Sequence, residues 1–140
     1  MNSYFDTSAF VKLFINEQGS DNVRAYWDES KIVCSSQIVL LETVSALSRA
    51  RQMKRITGEE FTRSMANLRE LEDEIYSLAV DTQVINMACD FTTDEGLRAY
   101  DALHLASAVA TSVDVFVCAD LKLCAAAISK GLTVFNPDAN

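Results

Sequence analysis

The sequence predicts an α/β fold in which helices cover both faces of a parallel sheet. Segments rich in β-branched and aromatic residues alternate with segments of helical periodicity along the chain, and this alternation is typical of parallel sheets. The 140 residues, of which 49% are hydrophobic and 23% charged, are enough for one compact core. One proline and four glycines leave no low-complexity linker. We therefore expect a single domain over residues 1–140.

The strands are predicted where short apolar runs end at turn or capping residues. They cover residues 2–6, 31–36, 75–80, 113–120 and 132–135. The helices are predicted from apolar positions that recur every three to four residues and from capping signals. They cover residues 8–17, 20–29, 37–54, 57–75, 82–92, 98–111 and 121–130. Gly131 is suited to close the last helix, and residues 92–96 are expected to form a loop.

Charge and cysteine content limit the function classes and the compartment. The net charge of −8 argues against a polyanionic substrate, unless several acids are gathered to bind divalent cations that cancel their charge. The four cysteines form no CxxC pair and lie among apolar neighbours, which predicts buried, reduced thiols. They are Cys34, Cys89, Cys118 and Cys124. The sequence shows no secretion signal and no apolar run of about 18 residues, so we expect a cytoplasmic protein that does not bind membranes.

Four acidic residues are predicted to meet at one edge of the sheet. Asp6 and Asp120 each end a predicted strand, and the carboxyl ends of parallel strands lie at the same edge. Glu42 and Asp101 lie near the start of helices, whose first turns face that edge. Each acid also has a structural explanation. Asp6 and Asp120 could be helix N-caps, Asp101 could complement a helix dipole, and Glu42 could face solvent.

Clustered carboxylates predict a particular chemistry. Like charges in one place are either protonated or bind cations, and oxygen ligands without sulfur or imidazole suit Mg²⁺ or Mn²⁺. Two such cations can activate water and stabilise the leaving oxygen in phosphodiester hydrolysis. His104 is the single histidine, which excludes a nuclease that uses two histidines as acid and base. It is either a packed structural residue or a residue that orients Asp101, three positions earlier.

The order and spacing of the four acids resemble the PIN domain, most closely the small VapC-type toxins of toxin–antitoxin pairs. The acids lie in "DTSA", "LLETVSAL", "YDALHLASA" and "VCADLKL". The resemblance covers essentially the whole chain. It implies a three-layer α/β/α sandwich around the parallel sheet of about five strands, and endoribonuclease activity dependent on Mg²⁺ or Mn²⁺. It assigns Asp6, Glu42, Asp101 and Asp120 as the metal-binding, catalytic acids.

The resemblance also indicates supporting residues and partners. Ser8 matches a small hydroxyl residue near the first acid that orients a ligand. Cys118 stands where the family often has Thr or Ser, so the support of Asp120 is expected to be weaker. The family implies a VapB-type antitoxin that inserts a C-terminal segment, often with an arginine, into the acidic site. We also expect a homodimer and a higher assembly with the antitoxin.

Basic and aromatic residues are further candidates for contacts with RNA. The segment 49–55 carries four cations, of which Arg51, Lys54 and Arg55 are expected to share one helical face. These cations could equally be a solvated helix end. The candidates for RNA or antitoxin contact are Arg49, Arg51, Lys54, Arg55 and Arg98. Possible base-stacking residues, which core packing explains as well, are Tyr4, Tyr26, Trp27 and Tyr100.

Two other functions remain open from the sequence. A phosphohydrolase with an aspartyl nucleophile, such as a haloacid dehalogenase-like phosphatase, needs Asp-x-Asp after the first strand, and here Ser8 takes the place of the second acid. A PIN fold could also serve only as a catalytically weak interaction module. Missing acids would favour that alternative, but all four acids are present.

Overall fold

The computed structural model describes residues 1–139, which form five strands and seven α-helices. The strands are β1 (Asn2–Phe5), β2 (Ile32–Ser36), β3 (Ile75–Leu78), β4 (Val115–Val117) and β5 (Val134–Phe135). The helices are α1 (Thr7–Phe10), α2 (Ser20–Glu29), α3 (Val39–Gln52), α4 (Gly58–Leu71), α5 (Thr82–Glu95), α6 (Ala99–Thr111) and α7 (Leu121–Ser129). The strands and helices follow one another in the predicted order, with pairs of helices after β1, β2 and β3 and a single helix after β4.

All five strands are parallel and form one sheet in the order β3-β2-β1-β4-β5. The central strand is β1, where Tyr4 lies opposite Cys34 on one side and Phe116 on the other. The chain extends the sheet first to one side of β1 and later to the other. In such sheets the crevice for ligands lies at the carboxyl ends of the strands, where the order reverses. Here that position is between the ends of β1 and β4.

Helices cover both faces of the sheet, which confirms the predicted α/β/α sandwich. Successive residues of a strand point to opposite faces, so Tyr4 and Phe5 enter different parts of the core. Tyr4 packs with Phe116, at a ring distance of 5.4 Å, against α5, α6 and α7. Phe5 packs with Phe10 against α1 to α4 on the other face. The side chains on both faces of β1 are therefore shielded from solvent, and Asp6 directly follows the last residue of this strand.

Several element boundaries differ from the prediction. The first helix ends at Phe10 and continues as a 3-10 turn over Val11–Leu13, consistent with the β-branched and aromatic residues there, which disfavour a long helix. The predicted loop 92–96 is wrong, since α5 continues to Glu95 and ends at Gly96, whose φ is 66°. The hydroxyls of Thr92 and Thr93 donate to carbonyls of the preceding turn of this helix at 2.7 and 2.9 Å.

The cysteines follow the prediction with one exception. All four are free thiols, and Cys34, Cys118 and Cys124 are buried. Cys89 is exposed on α5, so its predicted burial is wrong. The sequence analysis read it as apolar because of its neighbours, but the helix turns its position towards solvent. Among residues 1–139, no helix combines the length and apolar character that crossing a bilayer would require.

Two glycines with a left-handed backbone test how tightly the chain end is held. Gly19 has φ of 84°, and a Cβ there would lie 2.3 Å from Oδ1 of Asp138 and 3.1 Å from the carbonyl oxygen of Pro137. Gly131 has φ of 86°, but a Cβ there would meet no atom within 4 Å. The Asp138 carboxylate lies 3.2 Å from Nζ of the buried Lys12, so a methyl group at position 19 would also disturb this ion pair.

We therefore predict that Gly19→Ala destabilises the protein more than Gly131→Ala. Backbone strain alone should cost about 1 kcal/mol at position 131, whereas overpacking adds roughly 1–3 kcal/mol at position 19. Urea denaturation of both variants measures the difference in the free energy of unfolding. Equal losses would contradict the close packing of residues 137–138 against Gly19.

Candidate active site

Asp6 lies at the carboxyl end of β1, in the crevice beside β4. Its backbone N–H donates to the carbonyl of Val117 at 3.1 Å, which extends the pairing of the two strands by one residue. Its side chain caps α1 by accepting the N–H of Ala9 at 3.0 Å. The side chain is nonetheless almost completely buried, with 2% exposure of the residue. The capping explanation for Asp6 is thus correct, but it does not account for a carboxylate so far from water.

Two polar side chains hold the Asp6 carboxylate in place. The hydroxyl of Ser8 lies 2.8 Å from both oxygens and also accepts the N–H of Ala119 at 3.0 Å. The thiol of Cys118 donates to Oδ2 at 3.2 Å. Burial raises the pKa of Asp6 above its usual 3.8, although nearby His104 and these hydrogen bonds act in the opposite direction. Burial therefore outweighs the support, and a charged Asp6 gains from any further cation.

The contact of Cys118 corrects the prediction made for this residue. Its thiol supports Asp6, whereas its only contact with Asp120 among the described residues is with the backbone carbonyl, at 3.5 Å. The neighbouring Cys124 thiol and burial raise the pKa of Cys118 well above its usual value. The thiol therefore stays protonated, and its S–H donates a hydrogen bond to Asp6. A weaker hydrogen bond at this position affects the first acid and not the fourth.

Glu42 is held by a second set of hydrogen bonds. Its Oε1 accepts the hydroxyl of Thr7 at 2.7 Å and lies 2.7 Å from Nε2 of His104. Thr7 and Nε2 are themselves 3.0 Å apart, so three groups form a closed triangle. His104 is therefore packed and hydrogen-bonded, which is the first of its two predicted roles, and its hydrogen bond goes to Glu42 and not to Asp101, the residue named in the second. The side chain of His104 extends from α6 across the sheet edge to Glu42 on α3, because position 104 lies on the inward face of α6.

Behind His104 lies Tyr4, which is completely buried and does not stack on bases. Its hydroxyl is 2.7 Å from Nδ1 of His104 and accepts the backbone N–H of Ser36 at 3.1 Å. Burial raises the pKa of Tyr4 well above its usual 10.0, although the hydrogen bond from Ser36 opposes this effect. The Tyr4 side chain therefore stays protonated.

The pKa of Asp101 depends on its burial and on the charges of the other acids of the site. It lies in the first turn of α6 and is partly buried. Burial raises its pKa above the usual 3.8, and the negative charges of the three other predicted acids raise it further, while His104 opposes them. In order of effect, these acids are Asp120, Asp6 and Glu42. The three other acids thus lie close enough to Asp101 for their charges to act on it.

Asp120 is the most exposed of the four acids. It follows β4 after two residues and caps α7 by accepting the N–H of Leu123 at 2.9 Å. Within the described part of the chain, none of the four acids forms an ion pair with Lys or Arg. In the same residues, no three His, Cys, Asp or Glu side chains are arranged as they stand to hold one metal ion.

The donor set nevertheless fits a hard divalent cation. All four acids supply only oxygen, which Mg²⁺ and Mn²⁺ prefer, and their mutual repulsion favours a cation between them. Asp6 and Glu42 are fixed by hydrogen bonds, while Asp101 is affected only by burial and charge. A shared ion therefore requires that side chains such as Asp101 rotate towards the fixed pair.

Thr7 is the site residue that the sequence analysis missed. It follows Asp6 directly and starts α1, so its hydroxyl lies at the same sheet edge. The signal was available in "DTSA", where two hydroxyl residues follow the acid, but only Ser8 was assigned a role.

The predicted cationic contacts lie in two places. Arg98 occupies the N-cap position of α6 without a capping side-chain hydrogen bond, three residues before Asp101, and is exposed at the acidic edge. The other cations lie at the far end of α3, since Arg49 is seven residues, or roughly 10 Å, beyond Glu42. The helix ends at Gln52 and Lys54 has φ of 59°, so the expected common helical face of residues 51, 54 and 55 does not exist. All of these cations are exposed.

The chain is similar to proteins of a known family. The PIN domain family matches residues 3–135. Ribonuclease VapC45 of Mycobacterium tuberculosis is 33% identical over 107 residues, which are 76% of this chain and 74% of the relative. Ribonuclease VapC46 of the same species is 34% identical over 112 residues, 80% of this chain and 78% of the relative.

Solved structures share the fold at lower sequence identity. Mycobacterium tuberculosis VapC20, described as a Sarcin-Ricin loop cleaving toxin, has a TM-score of 0.71 at 19% identity and covers 89% of this chain and 94% of its own. A toxin–antitoxin complex from Klebsiella pneumoniae has a TM-score of 0.67 at 17% identity, and the match covers 96% of this chain and 97% of the matched chain.

The raised pKa of Asp101 predicts the pH dependence of stability. An acid whose pKa is higher in the folded chain keeps its proton where the unfolded chain has lost it, so stability falls as the pH rises above 3.8 through the raised value. Asp101→Asn removes the repelled charge and should stabilise the protein at neutral pH by roughly 0.5–2 kcal/mol. The gain should vanish below pH 3.8, where the wild-type acid is neutral.

Denaturation across this pH range measures both effects. Asp90→Asn is the matched control, because Asp90 is an exposed acid on α5. A gain that is equal in both variants, or that persists in acid, would contradict the repulsion at Asp101.

Proposed function

This chain belongs to the PIN-domain family, among its VapC-type members, and we propose that it is a metal-dependent endoribonuclease. The cation is Mg²⁺ or Mn²⁺, the substrate is RNA, and the protein is the toxin of a toxin–antitoxin pair. The names of its relatives at 33% and 34% identity support ribonuclease activity. Their shared coverage of about three quarters of each chain includes most of the fold.

One observation carries the metal dependence. Burial, and then the charges of three acids at the end of β1, on α3 and in the turn after β4, raise the pKa of Asp101, and neither Lys nor Arg of residues 1–139 forms an ion pair with any of the four. Charge repulsion that no Lys or Arg partner compensates lowers the stability of the folded chain. It is useful where a divalent cation and an approaching phosphate complete the site.

The four acids would hold the cations, with Asp6 and Glu42 as the fixed ligands. When bound, Mg²⁺ or Mn²⁺ supplies Lewis acidity at the phosphodiester and activates water for attack. The side chains of Ser8 and Cys118 fix Asp6, and Thr7 and His104 fix Glu42. Asp101 and Asp120 close the site from α6 and α7. The burial of Asp6 keeps bulk water away from one wall of the site.

RNA binding must overcome the net charge of −8. Arg98 is placed to contact a phosphate beside the acidic edge, and the cations Arg49, Arg51, Lys54 and Arg55 would contact more distant parts of the RNA. Such contacts would make binding weaker at higher salt. Arg51 also packs its guanidinium over Phe61 at 4.6 Å, which orients it at the surface.

We further propose a VapB-type antitoxin as the partner, together with a homodimer that forms a higher assembly with it. The fold is shared with a toxin–antitoxin complex from Klebsiella pneumoniae. A guanidinium from the antitoxin would satisfy the repelling carboxylates through charge-assisted hydrogen bonds. The same four acids would then serve both catalysis and inhibition.

The decisive experiment is cleavage of a structured RNA by the purified protein. We expect cleavage with Mg²⁺ or Mn²⁺, none with EDTA, and products that carry 5′-phosphate and 3′-hydroxyl ends. Asp6→Asn, Glu42→Gln and Asp101→Asn should each lower the rate by about 100-fold or more, because each removes a charged ligand. Asp90→Asn should retain the wild-type rate.

Three outcomes would separate the alternatives. Unchanged cleavage in EDTA, or cyclic phosphate ends, would overturn the metal mechanism. A folded protein that binds a partner but cuts no RNA would indicate an interaction module. Release of phosphate from small phosphomonoesters, abolished by Asp6→Asn, would indicate a phosphohydrolase.

A further inference from the structure

A chain of buried polar groups runs from the central strand to Glu42. It starts at the backbone N–H of Ser36, passes through the hydroxyl of Tyr4 to Nδ1 of His104, and leaves from Nε2 to Oε1 of Glu42. Tyr4 is 0% and His104 1% exposed, so neither side chain can touch a substrate. The Tyr4 ring stacks on Phe116 and lies edge-on to the imidazole, at 5.4 and 5.8 Å. Packing therefore fixes both rings.

The donor at the start of the chain favours one direction for the protons that follow. The N–H of Ser36 occupies one lone pair of the Tyr4 oxygen at 3.1 Å, and Nδ1 of His104, 2.7 Å away, accepts the hydroxyl hydrogen in the arrangement this favours. An imidazole nitrogen that accepts a hydrogen bond carries no proton. The ring proton is then on Nε2, which faces Glu42. A hydrogen bond from the backbone of β2 thus favours one tautomer of a residue on α6.

This direction has a consequence for Glu42. Its Oε1 accepts hydrogen bonds from both Nε2 of His104 and the hydroxyl of Thr7, each at 2.7 Å. Two donors on one oxygen prevent rotation of the carboxylate and leave the other oxygen available to a ligand. If Nε2 carried no proton, it would face the same oxygen with a lone pair, and the two groups would repel each other.

We propose that Tyr4 locks His104 in its Nε2–H tautomer and that the pair are positioning residues, which orient Glu42 for a divalent cation. The tautomer is inferred from the hydrogen-bond geometry, whereas the effect on the cation rests on the proposed function. Outer hydrogen-bond partners of this kind typically change metal affinity by about 10- to 100-fold.

The single histidine of the chain makes the tautomer directly measurable. A ¹⁵N spectrum of the imidazole in metal-free protein at neutral pH should show a protonated Nε2 and a bare Nδ1. Tyr4→Phe removes the donor to Nδ1 and should give a mixture of tautomers. Tyr26→Phe is the matched control, because Tyr26 packs on the opposite face of the sheet from Tyr4 and its hydroxyl donates to the sulfur of Met1 at 3.9 Å, so it should keep the wild-type spectrum.

Titration with Mn²⁺ in the absence of RNA measures the second step. His104→Gln keeps an N–H donor for Glu42, and His104→Met is of similar size but has none. We expect Mn²⁺ binding about 10-fold weaker in the methionine and Tyr4→Phe variants, with most of the affinity retained in the glutamine variant. Thermal unfolding of each variant without metal identifies a loss of folded protein, which would not change the affinity of the folded fraction.

The outcomes separate the tautomer from the metal proposal. A proton on Nδ1 or on both nitrogens in the wild type, or an unchanged spectrum in Tyr4→Phe, would overturn the tautomer lock. Equal Mn²⁺ affinity in the glutamine and methionine variants would overturn the positioning of Glu42. A wild-type protein that binds no Mn²⁺ but shows the expected spectra would support the tautomer lock and overturn the metal site itself.

Discussion

The mutual repulsion of four carboxylates at one sheet edge is the constraint on which the account of this protein depends. Parallel strands and returning helices bring together residues that are up to 114 positions apart in sequence, from Asp6 to Asp120. The pKa of Asp101, raised by burial and by the other three charges, records the energetic consequence. Such an arrangement lowers the stability of the fold, and sites that bind cations or substrates commonly carry this cost.

The protein supports the four acids unequally. Asp6 and Glu42 are held from behind by hydroxyl, thiol and imidazole groups that belong to the core side of the site. Asp101 and Asp120 lie on helix starts at the rim, where one is affected by charge and the other caps α7. Asp6 at the end of β1 and Glu42 on α3 are thus held by several hydrogen bonds, whereas the carboxylate of Asp101 at the start of α6 has no hydrogen-bond partner among the described residues.

The sequence predicted the fold and the location of the acids because both follow from topology. Alternating strands and helices predict a parallel sheet. Asp6 then lies at the end of β1 and Asp120 after the end of β4, and this placement does not depend on side-chain conformations. The hydrogen bonds could not be predicted in this way. Cys118 bonds to Asp6 and not Asp120 because β4 pairs with β1, and His104 contacts a residue 62 positions away. Both contacts depend on strand pairing and rotamers.

Anomalous diffraction from crystals grown with Mn²⁺ tests the central claim most directly, because it locates the ion independently of RNA or toxicity. The account predicts anomalous density between Asp6, Glu42, Asp101 and Asp120, with the carboxylate of Asp101 turned towards Asp6. Density elsewhere on the protein, or none at saturating Mn²⁺ while the four carboxylates remain apart, would contradict it.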